Sequence, residues 1–359
     1  MGAGLSGRMR SIRPQACSHR EAAAHGRPAT ADGRSRAGPA RGDQANQGRS
    51  VHGDCGALRL ELLGPVRAWR GQRELAIGGP WRQAVLGMLA ARDGHPVRRS
   101  ELITGVWGTP PPADAMQRLH GHLAGLRQAL APCRPHRAAG QALPASGPGY
   151  RLRFGPAALD SAGLDRAGLD IAQLDQHVAQ ARHACTAGDL GHAVWRLDAA
   201  LRLYRYVPLA GLPGPWAAAE RHRLAELRLI LLEERTELLL AMGRQHEAIP
   251  DLLGLTRAHP QRERFLSQLM VALNRAGRRA DALAQFDTAH RLRGEPGPGL
   301  RRLRLQILTA DTALMTVLPP GSGLPGGRRG GLSGLSREAA AADRWRRTAA
   351  RPHAHQAAR

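Results

Sequence analysis

The chain repeats a phrase at a fixed interval. Ala241-Met-Gly-Arg-Gln-His-Glu-Ala248 and Arg275-Ala-Gly-Arg-Arg-Ala-Asp-Ala282 set glycine and alanine in the same order. Gly243 and Gly277 stand 34 residues apart, as do Ala248 and Ala282. A shorter copy, Ala187-Gly-Asp-Leu-Gly-His-Ala193, precedes them. That period, with Gly where one helix turns into the next and Ala where helices cross closely, is the mark of tetratricopeptide hairpins. One hairpin cannot bury its own apolar face, so hairpins must stack into a continuous core with a concave side. The gap from Gly188 to Gly243 is longer, and it holds the segment Tyr204–Trp216 and a long helix, Ala217–Met242. The expectation is about three hairpins with one insertion, the four aromatics Trp195, Tyr204, Tyr206 and Trp216 serving as packing.

Upstream the periods change. Leu58–Leu62 and Val66–Trp69 alternate apolar and polar, and Glu74–Ile77 follows a turn, so three short antiparallel strands are expected. Pro80 suits the first turn of a helix Trp81–Arg92. Ser100 is a candidate N-cap for a second helix ending at Trp107. Met116, Leu119, Leu123, Leu126 and Leu130 form one apolar stripe on a third helix, Asp114–Leu130. Tyr150–Phe154 alternates again after Gly147-Pro-Gly149. Three strands, three helices and a closing hairpin are the layout of a winged helix, whose third helix enters the major groove.

The fold class expected is therefore mainly α. A winged helix at 57–156, α+β with a small antiparallel sheet and a wing hairpin, precedes an α-helical tetratricopeptide-like domain at 176–310. Leu-Asp pairs spaced by five residues, the last two at 169/170 and 174/175, mark 157–175 as a linker. Residues 1–56 and 319–359 are rich in Arg, Gly, Ala and Pro and read as disordered basic flanks.

The formal net charge of +23 favours polyanionic partners. All 52 basic side chains are arginine, lysine being absent, so a lone arginine carries little information. Cys17, Cys55, Cys133 and Cys185 are scattered without disulfide-like spacing, as in a reducing compartment. There is no signal-peptide core, and charges interrupt the longest apolar stretch, so no membrane partner is expected. Gly2-Ala-Gly-Leu-Ser-Gly7 fits a dinucleotide fingerprint but follows no strand. His120/His122 and Cys133/His136 fall short of four metal ligands. No nucleophile–base arrangement stands out, so the expectation is a non-enzyme with no cofactor and no metal.

Several phrases, in order, carry a resemblance: Leu62-Leu-Gly-Pro65, Glu101-Leu…Val106-Trp-Gly108, His122-Leu…Leu126-Arg127, Gly147-Pro-Gly-Tyr-Arg-Leu152, Arg221…Leu227-Arg228, Pro260…Arg262-Glu263 and Glu295-Pro-Gly-Pro298. From Leu60 to about Leu308 the chain resembles the streptomycete antibiotic regulatory proteins (SARPs), in which an OmpR-type winged helix precedes a bacterial transcriptional activation domain. The resemblance implies a cytoplasmic, nucleoid-associated activator. It would bind direct repeats in promoter DNA through the third helix and wing, recruit RNA polymerase subunits, self-associate on DNA, and control a secondary-metabolite cluster.

On the third helix a turn of about 100° per residue sends Gln117, Gly121, Ala124, Gly125 and Gln128 outward, with Arg118 and Arg127 on the flanks. The candidate DNA contacts are Gln117 and Gln128 for adenine edges, Arg118 and Arg127 for phosphate or guanine, and His122. Arg99 precedes the second helix, and Arg151 and Arg153 alternate on the wing strand as a phosphate or minor-groove clamp. The alternative for the third helix and the wing is a plain solvated surface, for His122 a partly buried packing residue, and for Arg99 the ordinary arginine background of the chain. The family's basic residues are missing before Leu126-Arg127, and Trp81-Arg82-Gln83 replaces a basic-rich phrase. A second reading is therefore a helical-repeat adaptor that has lost DNA reading.

Overall fold

The computed structural model describes residues 58–92, 94–130, 142–153 and 168–314. The flanks 1–56 and 319–359, Cys17, Cys55, Cys133 with His136, Phe154 and the first two Leu-Asp pairs lie outside the described residues.

Three strands, β1 (Leu58–Glu61), β2 (Arg67–Arg70) and β3 (Arg73–Glu74), form an antiparallel sheet in that order. Pairs such as Leu60 with Ala68 set its register, and both side chains are buried. The third strand is shorter than expected: it ends at Glu74, and Leu75 and Ile77 fill the core from irregular chain. Helix α1 (Pro80–Ala90) starts on its proline, as the missing N–H predicts. Strand β4 (Val97–Arg98) leads into α2 (Arg99–Trp107), then α3 (Ala115–Leu130), β5 (Ala145–Ser146) and β6 (Gly149–Tyr150). The second sheet runs β4-β6-β5, all antiparallel. Ser100 is not the N-cap of α2: Arg98 holds that position with extended backbone and no side-chain cap, because it is committed to β4.

The repeat resolves into three hairpins: α4 (Asp170–Thr186) with α5 (Leu190–Arg202), α6 (Pro215–Ala241) with α7 (Gln245–Ala258), and α8 (Glu263–Arg275) with α9 (Arg279–Arg293). Helix α10 (Pro298–Leu308) and a short 3-10 turn, Thr312–Leu314, close the stack. The repeated glycines do the work their spacing implied. Gly188, Gly243 and Gly277 all have positive φ (78°, 71° and 77°) at the turns within the hairpins. At each turn the N–H after the glycine donates to a carbonyl five residues back: Asp189 to Ala184, Arg244 to Leu239 and Arg278 to Leu273. That is the Schellman closure, which satisfies carbonyls a helix end leaves orphaned. The repeated alanines, Ala193, Ala248 and Ala282, are fully buried where a larger side chain would part the helices.

Three of the phrases that carried the family resemblance, those around Arg221, Arg262 and Gly297, hold the helical stack together. Arg262 bridges Glu226 (2.6 Å) and Glu233 of α6, and Glu263 accepts the backbone N–H of Gly297 (2.7 Å) at the start of α10. Arg221 donates to the carbonyls of Leu209 and Leu212 (2.9 Å each) and so fixes the insertion. Within the insertion Tyr204 and Trp216 are buried as expected. Trp195 and Tyr206 are exposed, Tyr206 at 70%, so packing does not account for them.

The stretch 170–175, expected as linker, is the first turn and a half of α4. Leu169, Ile171, Leu174 and Val178 are buried there, so helical spacing overrides the five-residue rhythm. Asp170 ties this helix to the first sheet. Its Oδ2 accepts the N–H groups of Leu62 and Leu63 (2.7 Å each), and its Oδ1 accepts that of Ile171 (2.9 Å). Burial pushes its carboxyl up to about 6 despite those three donors. Asp170→Ala would orphan the two buried N–H groups of Leu62 and Leu63 in the turn after β1, at a cost of about 2 kcal/mol. A thermal melt checks this: an unchanged Tm would show that the carboxylate does not hold the sheet to the helical stack.

Candidate nucleic-acid interface

Helix α3 is anchored by Leu119, Leu123, Leu126 and Leu130, none with exposed surface. Ala115, not Met116, begins the buried stripe: it stands one turn before Leu119, and Met116 is 43% exposed. The helix packs mainly on α1 and α2, whereas α6 of the repeat domain reaches those two helices from elsewhere. The outer side of α3 is left open. Gln117, Arg118, His120, Gly121, Ala124 and Gln128 are all exposed.

One flank of α3 meets the wing. Arg99 at the start of α2 and Arg127 on α3 place their guanidinium carbons 5.7 and 5.6 Å from the ring centre of Tyr150. Arg127 also donates to the carbonyl of Leu143 (3.2 Å), and the N–H of Arg99 to that of Pro148 (3.2 Å). Two cations thus bracket one aromatic ring at the root of the hairpin, an arrangement that holds arginine forks in place. The wing strand is shorter than the sequence suggested, ending at Tyr150. Backbone bonds from Arg151 to Pro144 and from Arg153 to Ala142 continue the pairing, however. Arg153 is exposed and Leu152 buried; Arg151 is half-buried with its Nε unpartnered. Gly149 is required here, since a Cβ would lie 2.0 Å from the Val97 carbonyl oxygen of the neighbouring strand.

The opposite flank faces the start of α1. Arg118 pairs with Asp114 (2.8 Å), both exposed, an i,i+4 contact weak enough to exchange for a phosphate. His122 stacks on Trp107 (centroids 6.1 Å apart), and Trp107 stacks on Trp81 (6.2 Å). Burial holds the His122 imidazole below its ordinary range, helped by the positive charges of Arg82 and Arg118. A neutral, stacked ring is a packing group or a hydrogen-bonding partner, not a cation for phosphate. Gly125 was expected to face outward and bare. Instead the Arg82 guanidinium of α1 covers it, 2.4 to 2.6 Å from where a Cβ would be. The sequence shows both departures, at 82 and at 125, without joining them; 43 positions apart, they give no local sign that they meet. Among the described residues no group of three or more His, Cys, Asp or Glu side chains is placed to hold a metal.

The bacterial transcriptional activator domain family matches residues 169–308, which is α4 through α10. The regulatory protein AfsR of Streptomyces coelicolor is 41% identical over 267 residues, 73% of this chain but 25% of AfsR. The regulatory protein DnrI of Streptomyces peucetius is 30% identical over 266 residues, covering 72% of this chain and 94% of DnrI. The chain belongs to the streptomycete antibiotic regulatory protein family. This SARP spans about a quarter of the length of the AfsR proteins it matches. Its fold is also that of a solved relative, Mycobacterium tuberculosis EmbR in complex with a low-affinity phosphopeptide. The TM-score is 0.62 at 29% identity, over 72% of this SARP and 68% of the EmbR chain. AfsR and DnrI are regulatory proteins, and EmbR is a transcriptional regulatory protein. No helix among the described residues is long and apolar enough to cross a membrane.

Proposed function

We propose that this SARP is a sequence-specific, DNA-binding transcriptional activator that lays α3 in the major groove and the hairpin on the adjoining backbone. The observation that carries this reading is the open outer side of α3 beside a wing rooted on Arg99, Tyr150 and Arg127. Gln117 and Gln128 stand one above the other at the centre of that side, placed for adenine edges; Arg118, Arg127, Arg151 and Arg153 serve phosphates. His122 supports the helix through Trp107. The activator works in the cytoplasm at the nucleoid, self-associates on direct repeats in promoters, contacts RNA polymerase subunits through the helical domain, and governs a secondary-metabolite cluster.

The test is binding of a duplex carrying direct repeats from a promoter beside the gene, followed by fluorescence anisotropy over a salt series. The log–log slope should be about −0.9 per phosphate neutralised. The double variant Arg118→Ala/Arg127→Ala should bind roughly tenfold more weakly. Equal affinity for the variant would remove the third-helix contacts from the reading. A second reading rests on Gly121 and Ala124, which leave the centre of the face with few donors: the chain is an adaptor whose winged helix no longer reads DNA. Affinity no better for the promoter than for random duplex, with capture of polymerase subunits by the full chain, would favour it.

A further inference from the structure

The Arg82 guanidinium has a seat made of two glycines. It lies over Gly125 in α3, and its Nη1 is 2.9 Å from where a Cβ on Gly78 would stand. Gly78 has φ +101°, a conformation that favours glycine. Arg82 is half-buried, and its Nε is buried without a hydrogen-bond partner. No carboxylate among the described residues forms an ion pair with it. The cation of α3 that acts together with it on His122 is Arg118, so this flank is positive. A half-buried arginine between two helices, with no carboxylate partner among the described residues, is free to take an anion from outside the chain. The planar fork suits a phosphate oxygen pair better than any other common surface group.

We infer that Arg82 is a DNA-backbone contact: an arginine of α1, seated on Gly125, that binds a phosphodiester on the flank of α3 away from the wing. The inference rests on the DNA-binding reading above. In this arrangement α1 supplies the cation that the sequence of α3 lacks. The two clamps then straddle the recognition helix, Arg82 with Arg118 on one side and Arg99 with Arg127 on the other. The glycine in mid-helix, unfavourable for α3 alone, is what makes room for the fork.

The variants Arg82→Ala and Gly125→Ala test this in the full chain. The probe is a random-sequence duplex of about 30 base pairs, because phosphate contacts are sequence-independent. For Gly125→Ala the three atoms nearest the added methyl all belong to the far end of the flexible Arg82 side chain, so the variant should fold with an equal or higher Tm while displacing the guanidinium. Both variants should show a salt slope shallower by about 0.9, with several-fold weaker binding at low salt. A wild-type slope in either variant overturns the inference while leaving the DNA-binding reading intact. Failure of the unmodified chain to bind duplex DNA overturns both.

Discussion

Gly214→Ala should lower the melting temperature by about 6–12 °C, from a loss of roughly 3 kcal/mol. Gly214 is the residue before α6, with φ 94°, where a side chain costs about 1–2 kcal/mol. Its missing Cβ would lie 2.2 Å from the carbonyl oxygen of Val106 in the last turn of α2, and backbone cannot swing aside as a side chain can. Overpacking of that kind adds about 1–3 kcal/mol. The damage would fall on the junction between winged helix and repeat domain. Two residues on, the buried Trp216 indole sits 3.3 Å from where a Cβ of Gly87 in α1 would be, and its Cβ sits 3.4 Å from that of Gly105 in α2. The control is Gly211→Ala, also at positive φ (74°) but with nothing within 4 Å of the added methyl. If the two variants melt alike, the close approach of α6 to α2 is not what Gly214 provides.

That junction marks where the sequence stops being legible. The hairpins are readable because each signal is local: a glycine ends one helix and an alanine five residues on enters the next. The α3 stripe is readable for the same reason, save that Ala115 rather than Met116 starts it. The role of the insertion is not readable. Leu209 donates its N–H to the Leu62 carbonyl, and Arg205 pairs with Glu61 (2.8 Å), so this segment mates the two domains across more than 140 residues of chain. Asp170, in the stretch expected as linker, reaches Leu62 and Leu63 across more than 100 residues. The wing strand itself ends at Tyr150, although the alternation and the backbone bonds to Pro144 and Ala142 run on through Arg151 and Arg153. At the interface the bracketing of Tyr150 by Arg99 and Arg127, and the seating of Arg82 on Gly125, depend on which helices become neighbours. No spacing along the chain encodes that.

Glu234 should make the stability of the repeat domain fall as pH rises, and Glu234→Gln should remove that carboxyl's share of the effect. The side chain is 4% exposed in the middle of α6, and neither carboxyl oxygen has a hydrogen-bond partner. Burial raises its pKa to about 8; Arg182 pulls it back only in part, and Glu237 pushes it further up. Burial and the same carboxyl also lift the Cys185 thiol to about 11, which keeps it protonated and unreactive. A carboxylic acid whose folded pKa lies above its unfolded value of 4.5 favours unfolding as pH rises. The penalty is absent below the unfolded value, grows through neutrality and levels off above about 8. Each tenfold change in proton affinity is worth about 1.4 kcal/mol, so at pH 7 glutamine, neutral and of the same shape, should stabilise the fold by on the order of 3 kcal/mol. Near pH 4 it should make no difference. Urea denaturation of both proteins at those two pH values decides the matter. A gain that is equal at both would mean that packing, not ionisation, separates the variants, and that Glu234 is not held neutral in the folded chain.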